Sequence, residues 1–410
     1  MGPGYSMLMQ RFDVIILGGG LVGLTLAIAL GRHGVACAVV DPAEPAATMA
    51  PGFDGRVSAI SSASWKLFEA IGVAPHLADK VCPIDRIWVS EGLTGGALDF
   101  APDPDDGAMG FMARNRDLRA AIDLAAQGAD GVTRFQPDRA SDVVRGAHGV
   151  TMRLASGAQI GASLLVGAEG RNSPTREAAG IPVAKWSYPH TALVTAIDHD
   201  EPHGNTAYEI FYPGGPFALL PMLPGTRSAI VWTVPTRHAP AMLKLPERAL
   251  LAEAEKRMGD FLGGVRLAAP VQSYPLGYHR AARIVDRRLA LVGDAAHAIH
   301  PIAGQGVNLG YRDAAALAEV IVEGMRLGLE PGDAQLLGRY QRWRALDSLS
   351  VTIMMDGLVR LFDIPGRPAS RARRMGLSAV QGLGPLKDRF IAEARGESGP
   401  RPRLLLGETI

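Results

Sequence analysis

Apolar and polar positions recur along this chain at two different periods, and the change from one to the other divides it. Short apolar runs of strand length at 12–17 and 35–40 flank a helical stretch at 24–32, so the chain opens as strand, helix, strand. Helices are then expected at 62–71 and 118–126, with strand-like pieces at 84–89, 97–100, 149–154 and 159–166. From Pro182 to about Arg280 the period falls to two. Segments 191–197, 206–211, 217–222 and 228–234 lie between Pro/Gly turns as in an antiparallel sheet, with one helix near 241–257. Helical spacing returns after Gly304 and again over 333–364, where Leu336, Tyr340, Trp343, Leu346 and Leu349 supply an apolar face. The pattern predicts an α/β protein. A Rossmann-like domain is expected from 1–80, 105–181 and 281–345, interleaved with an antiparallel-sheet domain from 81–104 and 182–280. A helical tail, 346–410, follows.

The turns carry the first chemistry. Gly18, Gly20 and Gly23 form GxGxxG between the first strand and helix, and Asp41 ends the second strand. Gly18 permits the tight turn, Gly20 lets backbone approach a pyrophosphate, Gly23 lets helix and strand pack closely, and Asp41 can bind a ribose hydroxyl. Arg56 lies in a stretch, 54–61, placed to reach the pyrophosphate or the edge of a bound ring, or else solvent. Asn115 stands where a helix N-cap would. The turn 167–170, with Glu169 and Gly170, repeats the strand-turn-helix logic of the opening and leads into Arg171, Ser173 and Arg176.

Residues 289–310 concentrate the second. A short apolar strand ends at Gly293-Asp294, and a Gly-Gln-Gly turn, Gly304 to Gly306, opens a long helix at Val307 and Asn308. A strand-end carboxylate accepts hydrogen bonds from sugar-like hydroxyls, and free first-turn N–H groups stabilise an anion. That pair suits a flavin, with its ribityl chain and a ring that turns anionic on reduction. In 211–221 an apolar strand bounded by prolines reads either as a plain core strand or as a pocket wall that offers Phe217, Leu219 and Pro221 to a ligand, with Pro301, close to the Gly-Gln-Gly turn, as a further wall residue.

Composition narrows the partners. Forty-two basic and 41 acidic residues leave a net charge of +1, with no basic, aromatic-interleaved patch in the body of the chain, which argues against nucleic acid. Cys37 and Cys82 have no metal-ligand spacing and read as buried structural thiols in a reducing compartment, so neither a metal nor a disulfide is expected. The apolar stretch 14–30 imitates a membrane span, but its glycines and the strand that follows mark a buried turn-helix unit, and a soluble, cytoplasmic chain is expected. Between Arg367 and Arg403 nine basic residues stand against three acidic ones, mixed with Met375, Leu377, Val380, Leu383, Leu386 and Phe390. That composition fits a helix on an anionic membrane surface, or one packed on the body of the protein.

Taken together, the early GxGxxG, the middle Gly167-Ala168-Glu169-Gly170 with Ser173 and Arg176, and the late Gly293-Asp294-Ala295-Ala296-His297 resemble the single-component flavoprotein aromatic hydroxylases related to p-hydroxybenzoate hydroxylase. His300 to Gly310 and Asp54-Gly55-Arg56-Val57 resemble the ubiquinone-biosynthesis hydroxylases within that group. The resemblance spans nearly the whole chain. It departs at Glu169, where the family usually has Asp.

The resemblance implies a p-hydroxybenzoate hydroxylase-like fold. FAD is expected to be held by Gly18, Gly20, Gly23 and Asp41 on its ADP half, by Asp294 on the ribityl chain and by Gly306, Val307 and Asn308 at the ring. Arg56, Asn115, Glu169 and Gly170 are expected nearby. NADPH or NADH would bind transiently as reductant, and O2 would form a C4a-hydroperoxide that hydroxylates the ring of a polyprenylated phenol. No acid or base is assigned, and His297 and His300 read as structural. The tail would dock on the inner face of the membrane, and membership of a ubiquinone-biosynthesis complex is a further expectation. The alternatives are a hydroxylase of a small soluble aromatic, an epoxidase, a prenyl reductase and a non-catalytic flavin-binding subunit. A halogenase is disfavoured for want of Trp-x-Trp-x-Ile-Pro.

Overall fold

The computed structural model describes residues 9–50, 56–93, 97–102, 107–298, 305–345, 364 and 366–410. Four strands that are buried on both faces form the centre of a parallel sheet: Leu289–Leu291, Leu164–Gly167, Val14–Leu17 and Cys37–Val40 lie side by side in that order, with Val132–Phe135 at one edge. Their residues are almost wholly Val, Ile, Leu and Ala because helices cover both faces. The Leu21–Gly31 helix is apolar all round for the same reason, buried among the sheet, the Asn115–Gln127 helix and the Gln305–Arg326 helix.

The second sheet runs, in spatial order, His297–Ala298, Gln272–Ala281, Val183–His199, Arg227–Pro235, Phe217–Met222, Thr206–Phe211, Arg86–Glu91 and Ala97–Phe100. Its pairings are antiparallel except that of Thr206–Phe211 with Arg86–Glu91. The chain therefore visits this sheet early, at 86–100, before returning to build most of it.

Three expected elements come out differently. Residues 159–166 are two strands in two sheets, because Ser163 and Leu164 both donate backbone N–H groups to Asp13 O (3.1 and 3.3 Å) and turn the chain between them. The strand beginning near 191 starts at Val183; its first half is largely exposed, and its pairing slips between Ser187 and Thr191, around Pro189. The helix near 241–257 is two, Ala239–Met242 and Glu247–Met258, because Pro246 stands at the second one's N-cap. Residues 334–345 are helical as expected, and the rest of 333–364 lies outside the described residues except Asp333 and Ile364.

The tail folds back over the body. Helices Arg367–Gly382 and Gly384–Ala394 lay Leu377, Val380, Phe390, Ile391 and Ala394 against an apolar cluster that includes Leu98, Phe100 and Met109. Arg373 pairs with the buried Glu91 at 2.6 Å, and Leu404 and Leu405 return to the main core. No helix among the described residues is long and apolar enough to cross a membrane.

Candidate active site

The turn after Val14–Leu17 is closed by backbone contacts that leave no room for side chains. Gly18 has a φ of 104°, and a Cβ there would lie 2.4 Å from Ala168 O; one at Gly23 would lie 1.9 Å from Gly18 O. At Gly20 the corresponding space is open, and the residue borders a cavity of about 800 Å³ walled by residues of both sheets. Asp41 lines the same cavity and secures the turn, accepting the N–H groups of Gly19 (2.6 Å) and Ala43 (2.7 Å) on its two oxygens.

Arg56 and Asn115 reach this cavity together, with the Asn115 N–H donating to Arg56 O at 3.0 Å. The capping role considered for Asn115 is not what the structure contains. The helix Asn115–Gln127 begins at that residue, Arg114 stands at the cap without a side-chain capping bond, and Asn115 Oδ1 instead accepts the Ser58 hydroxyl at 2.6 Å. The Arg56 guanidinium lies over the Tyr274 ring, 5.7 Å from its centroid.

Glu169 and Gly170 form the opposite lip. The extra methylene of Glu169 over Asp lets its carboxylate reach its own turn, where Oε2 accepts from Ser173 Oγ (2.5 Å) and Oε1 from Thr175 Oγ1 (2.7 Å). Burial lifts this carboxyl above its ordinary range against the pull of the two hydroxyls. Gly170, with a φ of 78° and open space at its Cβ position, carries the lip on to Arg171.

Asp294 follows Gly293, whose φ is 60°, and projects into the cavity. It is open to cavity solvent while the protein surrounds it on every other side, so burial raises its carboxyl, opposed by Arg171, His297 and Arg56. No described residue hydrogen-bonds that carboxylate. Gly306 and Val307, in the first turn of the Gln305–Arg326 helix, line the cavity beside it. The Asn308 side chain turns away: Nδ2 donates to Ala59 O (2.8 Å), and Oδ1 accepts from the Ser61 N–H (3.0 Å).

Behind Asp294 stands a residue that sequence reading passed over. Asp313 is fully buried in the same helix, accepts the Gly293 N–H at 2.9 Å and Arg344 Nε at 2.6 Å, and lies 2.9 Å from His297 Nε2. Burial alone would raise its carboxyl, but His297 and Arg344 hold it below the ordinary range. Its signal was an Arg-Asp pair, Arg312 and Asp313, set into the otherwise apolar run Gly310 to Ala318. His297 is thus part of the scaffold behind Gly293. His279, one strand away, is pushed down to about 4 by burial and then by Arg176 and Arg171, so it is neutral. His300 and Pro301 lie outside the described residues.

The sheet wall corrects the pocket residues expected from 211–221. Phe217 and Leu219 point into the core on the far side of the sheet, against Trp232, Ile230 and Leu193. Pro221 is buried and lines neither cavity. Successive strand residues face opposite ways, so the cavity-facing residues of that strand are Ala218 and Leu220. Its neighbours add Ala192, Val194, Val231 and Thr233, and Thr206–Phe211 adds Glu209. Arg119, Glu209 and Tyr274 were also missed; each stands in a segment whose local pattern marks no site.

A second cavity of about 580 Å³ adjoins the first, with Ala59, Glu209 and Leu220 in the walls of both. Ile87, Val89, Leu98 and Phe100 form its floor, and Leu377, Val380 and Phe390 of the tail helices cover it.

With the geometry in hand, comparison decides the family. A family model described as an FAD binding domain matches residues 11–350. The chain belongs to that family. It is 45% identical to a ubiquinone hydroxylase, UbiL, of Rhodospirillum rubrum, over 99% of this chain and 95% of the relative. It is 34% identical to the 3-demethoxyubiquinol 3-hydroxylase of Escherichia coli, over 95% of this chain and all of that one. Among solved structures, p-nitrophenol 4-monooxygenase PnpA of Pseudomonas putida superposes with a TM-score of 0.78 over 96% of this chain and all of that one, at 20% identity, which establishes the shared fold. The chain is an FAD-dependent hydroxylase of the ubiquinone-biosynthesis family, with NADPH or NADH as the reductant usual there.

Its residues fit that cofactor. A backbone cradle closed to side chains at Gly18 and Gly23 is open at Gly20. A carboxylate that no described residue hydrogen-bonds and a helix start share one cavity wall.

Proposed function

We propose that this chain adds one hydroxyl group to the aromatic ring of a polyprenylated phenol in ubiquinone biosynthesis, taking the oxygen from O2. The observation that carries the substrate class is the pair of adjoining cavities, one of mixed lining and edged by the glycine turn and Asp294, the other walled almost wholly by hydrocarbon. Such a pair suits a ring that continues into an isoprenoid chain. A small soluble aromatic would leave the second cavity without purpose.

FAD, once reduced, supplies the activation of O2 and the transfer of one oxygen atom to the ring. The protein's part is placement. Gly18, Gly20 and Gly23 let backbone approach the pyrophosphate, with Glu169 and Gly170 at the opposite lip. Asp41 takes a ribose hydroxyl on lone pairs not used by Gly19 and Ala43. Asp294 takes the ribityl hydroxyls, and backbone N–H groups at Gly306, Val307 and Asn308 offset negative charge on the reduced ring. Arg56 and Asn115 flank the ring edge. The alkyl face of Ala192, Val194, Ala218 and Val231 keeps water from the reacting carbon.

The tail serves delivery in this reading. Its inner face covers the apolar cavity, while Met375, Leu383 and Leu386 face outward, exposed, beside Arg371 and Arg389. An anionic bilayer suits that mixture, and the seat would bring the enzyme beside others that act on the same lipid. Changing Met375, Leu383 and Leu386 together to Ser should abolish binding to anionic vesicles; unchanged binding removes the membrane role.

The test of the reaction is quinone-intermediate profiling by mass spectrometry in a cell lacking this chain, then with it restored as wild type or as Asp294→Ala. One prenylphenol, short of a single hydroxyl and cleared only by the wild type, supports the reading and names the ring position. Normal ubiquinone with no precursor accumulated, in a strain without a redundant hydroxylase, overturns it.

A further inference from the structure

Glu209 stands where the two cavities meet, and nothing in the scaffold accounts for it. It belongs to the Thr206–Phe211 strand, whose cavity-facing residues are Ala207, Glu209 and Phe211. Its cross-strand partners are Val89 on one side and Ala218 on the other, and Ala218 pairs in turn with Val231. The row across the sheet is therefore alkyl, carboxyl, alkyl, alkyl. No described residue hydrogen-bonds the Glu209 carboxyl or pairs with it. A carboxylate held against hydrocarbon without a partner loses hydration with no return, so this position costs stability unless something else occupies the site.

We propose that Glu209 receives the ring hydroxyl of the substrate and thereby selects neutral phenols over aromatic acids. The proposal rests on the hydroxylase reading above. A substrate whose ring lies against the alkyl strand face of the larger cavity and whose chain runs into the smaller one passes Glu209 where ring gives way to chain, because Ala59, Glu209 and Leu220 border both. A phenol brings a hydrogen-bond donor to that point. A ring carboxylate brings a second negative charge into a low-dielectric wall, where like charges repel far more than in water.

The charged and titratable groups elsewhere in the two cavities do not compensate it. Arg56, Arg171 and Asp294 face one another in the larger cavity, and Arg373 pairs with Glu91 in the smaller. Asp41, Arg119, Glu169 and Tyr274 are the other titratable groups lining the larger cavity, and Tyr208 and Glu393 those lining the smaller. Burial is the one influence that moves the Glu209 carboxyl, which it pushes up to about 7. Near neutral pH the group therefore exists in both forms, and its discrimination against anions is expected to grow with pH.

The test uses the full-length, FAD-loaded protein and two probes: a phenol bearing a ten-carbon prenyl chain, and the same molecule with a ring carboxylate. Binding is read from perturbation of the flavin spectrum between about pH 6 and about pH 8, and coupling from NADPH and NADH oxidation. The wild type should favour the neutral probe, by a ratio that rises about tenfold across that range. Glu209→Gln, which keeps shape and FAD content, should bind the neutral probe less tightly, take the acid more readily and give a ratio flat with pH. An unchanged ratio and slope in Glu209→Gln, with the neutral probe still bound, overturns the assignment and leaves the hydroxylase reading standing. A wild type whose flavin responds to neither probe, with no oxidation of either nicotinamide, overturns the hydroxylase reading and this assignment with it.

Discussion

The two cavities that meet at Glu209 are built by different means. The larger is framed on one side by chain turns and a helix start, Gly18 and Gly20 on one strand end, Glu169 and Gly170 on a second, Gly293 and Asp294 on a third and Gly306 in the helix beside them, with a strand face of Ala192, Val194, Ala218 and Val231 as its other wall. The smaller is made of side-chain faces, Ile87, Val89, Leu98 and Phe100 below and Leu377, Val380 and Phe390 above. A site made of backbone needs particular residue types at particular positions, and a rigid frame to hold each turn. A site made of alkyl faces needs only apolar residues of suitable volume, which many sequences supply. The first is therefore expected to fail abruptly under substitution and the second by degrees.

The largest effect should come from the frame of the first cavity. Asp313→Ala removes the acceptor of the Gly293 N–H and leaves Arg344 buried with its carboxylate gone. Breaking a buried pair from one side costs about 3–5 kcal/mol, read as a lower urea midpoint, with FAD retention falling in parallel. Because the Asp313 carboxyl is held below its ordinary range, its stabilisation is complete above that range and is lost as pH falls through the lower folded value. The variant should accordingly show less acid sensitivity than the wild type. A loss below about 1 kcal/mol would mean that the Gly293 turn holds its shape without this acid.

A smaller effect of opposite sign is expected at the border. Glu209 is raised in the folded protein from 4.5 to about 7, so its ionisation works against folding. The penalty is absent below about pH 4.5, grows as pH rises towards 7 and is complete above it. Glu209→Gln should therefore stabilise the protein without substrate by roughly 3 kcal/mol at pH 8, and by nothing measurable near pH 4. Thermal unfolding at the two pH values checks this. Equal unfolding temperatures at pH 8 would mean that the carboxylate finds a partner in the wall and that the two cavities do not differ at their border.

What could be read from the sequence follows the same division. Gly18, Gly20, Gly23, Asp41 and Asp294 were legible because steric closeness, an open φ or a strand-end acid restricts the residue type at each point. The wall residues were not. Phe217 and Leu219 have the apolar character of a pocket strand, yet alternation sends them into the core, and only the sheet's placement tells which parity faces the cavity. Glu209 and Asp313 each looked like one more surface acid, since burial is a property of the assembled layers. The tail was legible in composition and not in position: its apolar residues could equally have met lipid or protein, and Leu377, Val380 and Phe390 meet protein.

The apolar cavity should respond most gently, and in a way that depends on the ligand. Val380 lies in the tail helix over that cavity, partly buried against its apolar cluster. Val380→Trp fills part of the 580 Å³ with indole while leaving the turns and Asp294 untouched. A substrate whose chain occupies only the near part of the cavity should keep its KM. One with a longer chain must give up burial of roughly two methylene equivalents, at about 0.8 kcal/mol each, so its KM should rise about tenfold with kcat little changed. The measurement is steady-state NAD(P)H oxidation against a series of phenols differing only in chain length. A rise in KM shared equally by short and long chains would place the chain outside this cavity, and the tail helices would then cover an apolar space that the substrate does not use.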